Sequence, residues 1–210
     1  MHRFRIVMDV RQLTDTLFPI VEEYKSYEHV ELEFRLGKFN GSMFDTNVGK
    51  GVFDKLQIGF TKYLGWDKVI CEEHEVFYRE SDGLRISTDQ ATGEEAVVHK
   101  HRVLNKDFKL GSTIPFDLRF SISREIPVSG DIDRSMDKKK NKRRLSFQRK
   151  NVTIDITIIT GDVHDNDSEE AVSYQIEFEI LNPKNIQTVD DLYKILHKIN
   201  DVFIMLNNTK

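Results

Sequence analysis

A single cysteine, Cys71, stands in the 210 residues, which excludes an internal disulfide framework and a cysteine-rich zinc site. No apolar run approaches membrane-spanning length, and Met1-His2-Arg3-Phe4-Arg5 lacks the continuous apolar stretch of a signal peptide. These absences together describe an intracellular protein, cytoplasmic or nuclear, neither secreted nor membrane-bound. An excess of basic charge is missing too. Lysine and arginine number 31 against 35 aspartates and glutamates, for a formal charge of -4, so any site for an anion must be local. The seven histidines are scattered; His99 and His101 share a strand face but have no third ligand at metal spacing, which excludes a zinc centre built on them. No internal repeat or low-complexity segment is visible. The length and a hydrophobic content of 39% suit one domain spanning residues 1–210.

Three segments carry a helical stripe. Leu13, Leu17, Ile20, Val21 and Tyr24 recur at three and four residues between Val10 and Tyr27, with Thr14 or Asp15 as the expected cap and Pro19 either opening the helix or kinking it. Val52, Phe53, Leu56, Phe60, Tyr63 and Leu64 mark a second between Val48 and Trp66, with Gly65 as its stop. From a cap at Thr188, residues Leu192, Ile195, Leu196, Ile199, Val202, Phe203 and Leu206 mark a third. Between them, period-two alternation predicts eight strands: Val30 to Gly37, Val69 to Glu80, Gly83 to Thr88, Glu94 to Leu104, Phe116 to Ile126, Lys142 to Arg149, Asn151 to Thr160 and Val172 to Leu181. Breaker pairs such as Asp82-Gly83 and Thr92-Gly93 separate them. The charged stretches Ser129 to Asn141 and Gly161 to Glu170 read as mobile loops. Eight antiparallel strands favour a closed barrel or a sandwich.

What alternates with the apolar residues is more telling. Glu31, Glu33 and Arg35 project opposite Leu32, Phe34 and Leu36. Gln175, Glu177 and Glu179 lie opposite Ile176, Phe178 and Ile180; Arg119, Ser121, Ser123 and Glu125 lie opposite Leu118, Phe120 and Ile122. Asp155 and Thr157 oppose Ile154, Ile156 and Ile158, while Lys142, Arg144 and Ser146 oppose Leu145 and Phe147. Ordinary strands with one solvated face would show this pattern singly. Carboxylates two apart repel unless a cation lies between them, and Glu-x-Glu on both the first and last long strands suggests convergence on a hard divalent cation, Mg²⁺ or Mn²⁺. If the charged faces line a lumen, the apolar faces turn outward and the three amphipathic helices cover them. The basic residues Arg35, Arg85, Lys100, Arg119, Lys142 and Arg144 then suit a polyphosphate.

The ordered set resembles a known family, the metal-dependent RNA 5′-triphosphatases of fungal and viral mRNA capping systems, among the triphosphate tunnel metalloenzymes. Glu31-Leu32-Glu33-Phe34-Arg35-Leu36-Gly37 is similar to its first glutamate motif and Gln175-Ile176-Glu177-Phe178-Glu179 to its last. Between them, Leu84 to Ser87 with Lys100, Asp117 to Glu125 with Pro127, Lys142-x-Arg144-x-Ser146-Phe147 and Asp155-x-Thr157 resemble its intervening strands in order. The resemblance implies an α+β, mainly β, fold: an eight-stranded antiparallel tunnel with a polar lumen, helices packed outside. It implies removal of the γ-phosphate from a 5′-triphosphate RNA end with Mg²⁺ or Mn²⁺ as cofactor, the first step of capping. It assigns Glu31, Glu33, Glu177 and Glu179 to metal, Arg85, Lys100, Arg119, Lys142 and Arg144 to phosphate, and Glu125 with Arg85 and Arg144 to catalysis, supported by Arg35, Asp155 and Thr157. Gln175 and Lys140 stand where the family carries glutamate and arginine, and both stay outside the expected site. Arg35, where adenylate cyclases and thiamine triphosphatases of the same fold carry lysine, favours the capping branch.

Two other readings stay open: a hydrolase of the same fold preferring free nucleoside triphosphate or inorganic polyphosphate, and a non-catalytic RNA- or polyanion-binding module. The four glutamates argue against the latter, because an anion binder gains nothing from carboxylates beside its ligand. The implied partners are 5′-triphosphate RNA and a guanylyltransferase, separate or downstream in a longer capping enzyme of which this chain would be the N-terminal part.

Overall fold

Side chains alternate between the two faces of a strand, so a sequence that alternates charge with bulk must send one kind inward and the other outward when its sheet closes. The computed structural model, which describes residues 8–110, 115–161 and 172–207, shows that outcome. Its strands are β1 (Val30–Asn40), β2 (Met43–Asp45), β3 (Lys68–Arg79), β4 (Leu84–Asp89), β5 (Glu95–Phe108), β6 (Asp117–Pro127), β7 (Lys138–Arg149), β8 (Val152–Gly161) and β9 (Val172–Ile180). All pairs are antiparallel, in the order β1-β6-β5-β4-β3-β7-β8-β9, and β9 returns to β1 to close an eight-stranded barrel. The three-residue β2 folds back on the end of β1 and stands outside the ring.

The outward apolar faces of β1, β6, β8 and β9 are buried under α1 (Val10–Tyr24), α2 (Lys50–Lys62) and α3 (Val189–Asn207). Leu32, Phe34, Phe120, Ile156 and Phe178 are inaccessible, as are Leu17, Leu56, Leu196 and Phe203 from the helices. Phe34 packs against Phe120, with ring centroids 4.8 Å apart and planes tilted by 39°, tying β1 to β6. No described helix is long and apolar enough to cross a membrane.

Several local expectations need correction. The α1 cap is Asp9, whose carboxylate accepts from Gln12 N at 2.9 Å, while Thr14 is buried in the helix and donates to Val10 O. Pro19 sits inside α1, which neither begins nor ends there. Helix α2 ends at a cap on Tyr63, before Gly65. Thr188 does cap α3, in a reciprocal pair: Asp191 N donates to its Oγ1 and Thr188 N donates to the Asp191 carboxylate.

Residues 129–137 are tied down, and 138–141 belong to β7. Arg134 makes two contacts with Glu95 at 2.9 and 3.1 Å, Arg79 donates to Asp133 O at 2.8 Å, and Asp137 bonds Tyr78 O and Glu80 N. This strap joins β5 to β3 on either side of β4, whose Leu84 and Ile86 are buried outside the helix-covered core. Charge along 129–141 signalled solvation, but its partners are distant in sequence. The second expected loop falls mostly on 162–170, outside the described residues.

Candidate active site

Register carries the expected residues onto one face. Arg35 stands opposite both Arg119 and Glu177, Glu33 opposite Ser121 and Glu179, and Glu31 opposite Ser123. Asp155 pairs with Glu177 and Ser146, Thr157 with Gln175 and Arg144, and Lys100 with Glu125. Facing residues across a strand pair share a side of the sheet. Glu31, Glu33, Arg35, Arg85, Lys100, Arg119, Glu125, Lys142, Arg144, Asp155, Thr157, Glu177 and Glu179 therefore all lie on the lumen face.

Their side chains form two clusters. In one, Arg35 lies 2.9 Å from a Glu33 oxygen, and its Nε is 2.7 Å from Glu177 Oε1, although without the alignment of a hydrogen bond. Arg144 reaches Glu177 Oε2 and Asp155 Oδ2, both at 3.5 Å, and its Nε donates to Thr157 Oγ1 at 3.4 Å. In the other, Lys100 bridges Glu31 and Glu125, Ser123 Oγ donates to Glu31 at 2.6 Å, and Arg85 reaches Glu125 at 3.2 Å. Glu125 thus pairs with Arg85 and Lys100, not with neighbouring Arg119 or Arg124. Arg119 is held by Asp107 at 2.6 and 2.9 Å and lies over the Phe44 ring.

The carboxylates are not equivalent. Burial opposes the charge on Glu177, yet Arg35, Arg144 and Lys142 outweigh it and hold this carboxyl at about 2. A single arginine cannot serve two carboxylates equally: burial, then the charges of Glu177 and Glu31 overcoming Arg35, push Glu33 up to about 7. Glu179 has no cation at ion-pair distance among the described residues; burial and the charges of Glu31 and Asp155 raise it to about 7. Burial likewise raises Asp155, against the pull of Arg144.

This end of the lumen fits a hard divalent cation by donor chemistry. It is built of carboxylate oxygens, Glu179 lacks a counter-charge, and buried Asp155 Oδ1 and Thr153 Oγ1 have no hydrogen-bond partner. Among the described residues no three acidic or histidine side chains already converge as a finished coordination shell, because Arg35 and Lys100 lie between the carboxylates.

Away from that end the lumen opens into a cavity of ≈ 510 Å³. Glu33, Arg35 and Glu177 line it together with Arg85, Lys100 and Lys142, and Arg79, Glu80, Arg102, Arg119, Lys138 and Lys140 add further charge, so cations outnumber carboxylates. Lys142 is the least compensated. It has no ion-pair partner among the described residues, it lies over the Tyr78 ring, and burial followed by the charge of Arg85 lowers it to about 7.

Several lining residues escaped the sequence reading. Tyr78 sits on the lumen face of β3, opposite Arg85 and Lys138, with Arg85 over its ring. Its signal was the alternation Glu72, His74, Val76, Tyr78, which mixes types and so announced no face. Lys140 and Gln175, set aside earlier, both line the cavity; Gln175 donates to Thr46 Oγ1 at 2.9 Å. Arg102 and Asn105 were missed because β5 changes register between them.

Comparison with known proteins bears on the family and the fold. The family described as "mRNA capping enzyme, beta chain" matches residues 71–209. Among solved structures, the S. pombe Pct1 RNA triphosphatase superposes with a TM-score of 0.75 at 19% identity, covering 96% of this chain and 93% of that one. A second structure of Pct1, in complex with the Spt5 CTD, gives 0.74 over the same coverage. A chain of the Schizosaccharomyces pombe Mediator head module reaches 0.50 at 11% identity, covering 82% of this chain and 94% of that one. At such identities the likeness is one of fold. No curated protein matches the sequence.

Proposed function

Since the chain belongs to the mRNA capping enzyme beta-chain family, of RNA triphosphatases, we propose that it removes the γ-phosphate from 5′-triphosphate RNA with the help of a divalent cation. The observation that carries this reading is Lys142: a lysine enclosed beside Arg85 and Arg144 in a lumen, with no carboxylate paired to it among the described residues, leaves positive charge that a multiply charged anion would satisfy. The opposite excess stands in the same lumen at Glu179, a carboxylate with no cation at ion-pair distance among the described residues.

Phosphoryl transfer demands positioning and charge stabilisation more than covalent chemistry from the protein. Lys142, Arg85 and Arg144 hold the phosphate oxygens, and the guanidinium of Arg144 is fixed by Asp155, Glu177 and Thr157. Glu31, Glu33, Glu177 and Glu179 would hold Mg²⁺ or Mn²⁺, which when bound neutralises charge on the phosphates. Glu125, between Arg85 and Lys100, orients the attacking water and takes its proton. The water oxygen bonds to the γ-phosphorus, the bond from that phosphorus to the β–γ bridging oxygen breaks, and the products are a diphosphate-ended RNA and inorganic phosphate. A diphosphate end is the acceptor that a guanylyl-transferring partner would need.

Tyr78, the aromatic ring lining the cavity, lies under Arg85 and Lys142, so recognition is of phosphates more than of bases, and free nucleoside triphosphate is an expected second substrate. The test is phosphate release from triphosphate-ended RNA and from ATP, each with Mg²⁺, Mn²⁺ or chelator, for the parent protein and Glu125→Gln. Metal-dependent release, abolished in the variant with nucleotide binding kept, supports the assignment. Release that chelator leaves untouched refutes the metal, and unchanged turnover in the variant refutes the role of Glu125.

A further inference from the structure

Strand β5 contains a register shift that alters which residues enter the lumen. Lys100 pairs with Glu125 and Arg102 with Ser123, but the next partners are Leu104 with Ile122 and Asn105 with Ser121. The extra residue, Val103, is 39% exposed. Without the bulge, period-two alternation would turn Leu104 inward after Arg102; with it, Arg102 and Asn105 both line the cavity.

The cations around this part of the cavity divide into two kinds. Arg79 is bound to Asp82 at 2.8 Å, Lys138 to Glu80 at 2.6 Å and Arg119 to Asp107 at 2.6 Å. Arg102 and Lys140 line the same cavity with no hydrogen-bond or ion-pair partner among the described residues. On β7, Lys140 lies two residues before Lys142 and four before Arg144, about 7 and 13 Å along an extended strand, so it stands one step beyond the groups of that strand assigned to the triphosphate. The Tyr78 ring already carries Arg85 and Lys142, at 5.2 and 5.8 Å from its centroid. The ligand chemistry left for two unpaired cations here is a backbone phosphate.

We propose that Arg102, assisted by Lys140, binds the first internucleotide phosphate of the RNA, so that this outer part of the cavity favours RNA over a free nucleoside triphosphate, which has no such group. This rests on the RNA triphosphatase reading given above. The contact is independent of base sequence, and the bulge at Val103 is the device that aims it.

The experiment compares the parent protein, Arg102→Ala and Arg102→Lys on short triphosphate-ended RNA and on ATP across a salt series. For Arg102→Ala the RNA-to-ATP ratio of kcat/KM is expected to fall about tenfold, the effect of losing one charge-assisted contact. Loss of one phosphate contact on a single strand should also make the dependence of log kcat/KM for RNA on log salt shallower by about 0.7. Arg102→Lys should keep that slope. Equal losses on RNA and ATP, or an unchanged salt slope in Arg102→Ala, would overturn the inference while leaving the hydrolase reading intact. A parent protein inactive on both substrates would overturn the hydrolase reading and this inference with it.

Discussion

Replacing Glu179 with glutamine should make the metal-free protein more stable, and by an amount that depends on pH. An ordinary glutamate titrates near 4.5, whereas burial and the charges of Glu31 and Asp155 lift Glu179 to about 7. For an acid whose folded value is raised, stability is fully present below the unfolded value and is lost as pH rises through the folded one. The difference sets an upper bound of about 3 kcal/mol. Glu179 is half-buried against a solvated lumen, and screening reduces the expected gain to about 1–2 kcal/mol. Glutamine keeps the shape and carries no charge, so its advantage should be near zero at pH 4.5 and complete above pH 7. At this chain length each kcal/mol corresponds to roughly 2–4 °C in Tm. The assay is thermal unfolding of both proteins with chelator at a series of pH values, repeated with Mn²⁺. With metal present, the parent should regain what it lacked and the variant should gain less. A variant destabilised equally at all pH values, or metal stabilisation identical in both, would refute the reasoning.

Glu177 should behave in the opposite sense: removing it leaves Arg35 with Glu33 alone and Arg144 with Asp155 alone, so Glu177→Gln is expected to cost about 1.5–3 kcal/mol near neutral pH, measured by urea unfolding. That cost should shrink as pH falls from 4.5 towards 2, because the depressed carboxyl loses its contribution there. Lys142, held at about 7, should take up a proton when an anion arrives; calorimetric titration with tripolyphosphate near pH 8 in buffers of different ionisation enthalpy should show uptake, and affinity should fall as pH rises past 7. Gly83 has φ +73° and an added Cβ would meet Lys100 O at 2.6 Å, so Gly83→Ala should destabilise by more than about 1 kcal/mol and lower turnover by displacing Lys100.

The barrel was legible because its lumen reverses the usual rule. On β1, β6, β8 and β9 the charged residues alternate with large apolar ones so regularly that the outward faces require covering, and the three helical stripes match that need. Strand existence followed from period alone, and with it the shared face of Glu31, Glu33, Glu177 and Glu179. What period could not show was pairing. The Lys100 bridge between Glu31 and Glu125 spans three strands, and the strap from 129 to 137 is fixed by Glu95 and Arg79, residues distant in sequence. The bulge at Val103 has no turn residue to announce it, so Arg102 and Asn105 stayed hidden. Strand β2 is only three residues, too short for alternation to register. In α1, Pro19 suggested a boundary that tertiary burial of Leu13, Leu17 and Val21 overrides. Both Glu177 and Glu179 are held up by burial; they differ because Arg35, Arg144 and Lys142 outweigh it at Glu177, whereas the carboxylates of Glu31 and Asp155 add to it at Glu179.

The central claim is tested most directly by following the phosphates of RNA labelled separately at the γ and β positions, with Mg²⁺ or Mn²⁺ present. The account predicts that γ label alone appears as inorganic phosphate, that β label stays on the RNA as a diphosphate end, and that chelator leaves both labels on the RNA. Release of β label, or of pyrophosphate, would contradict it.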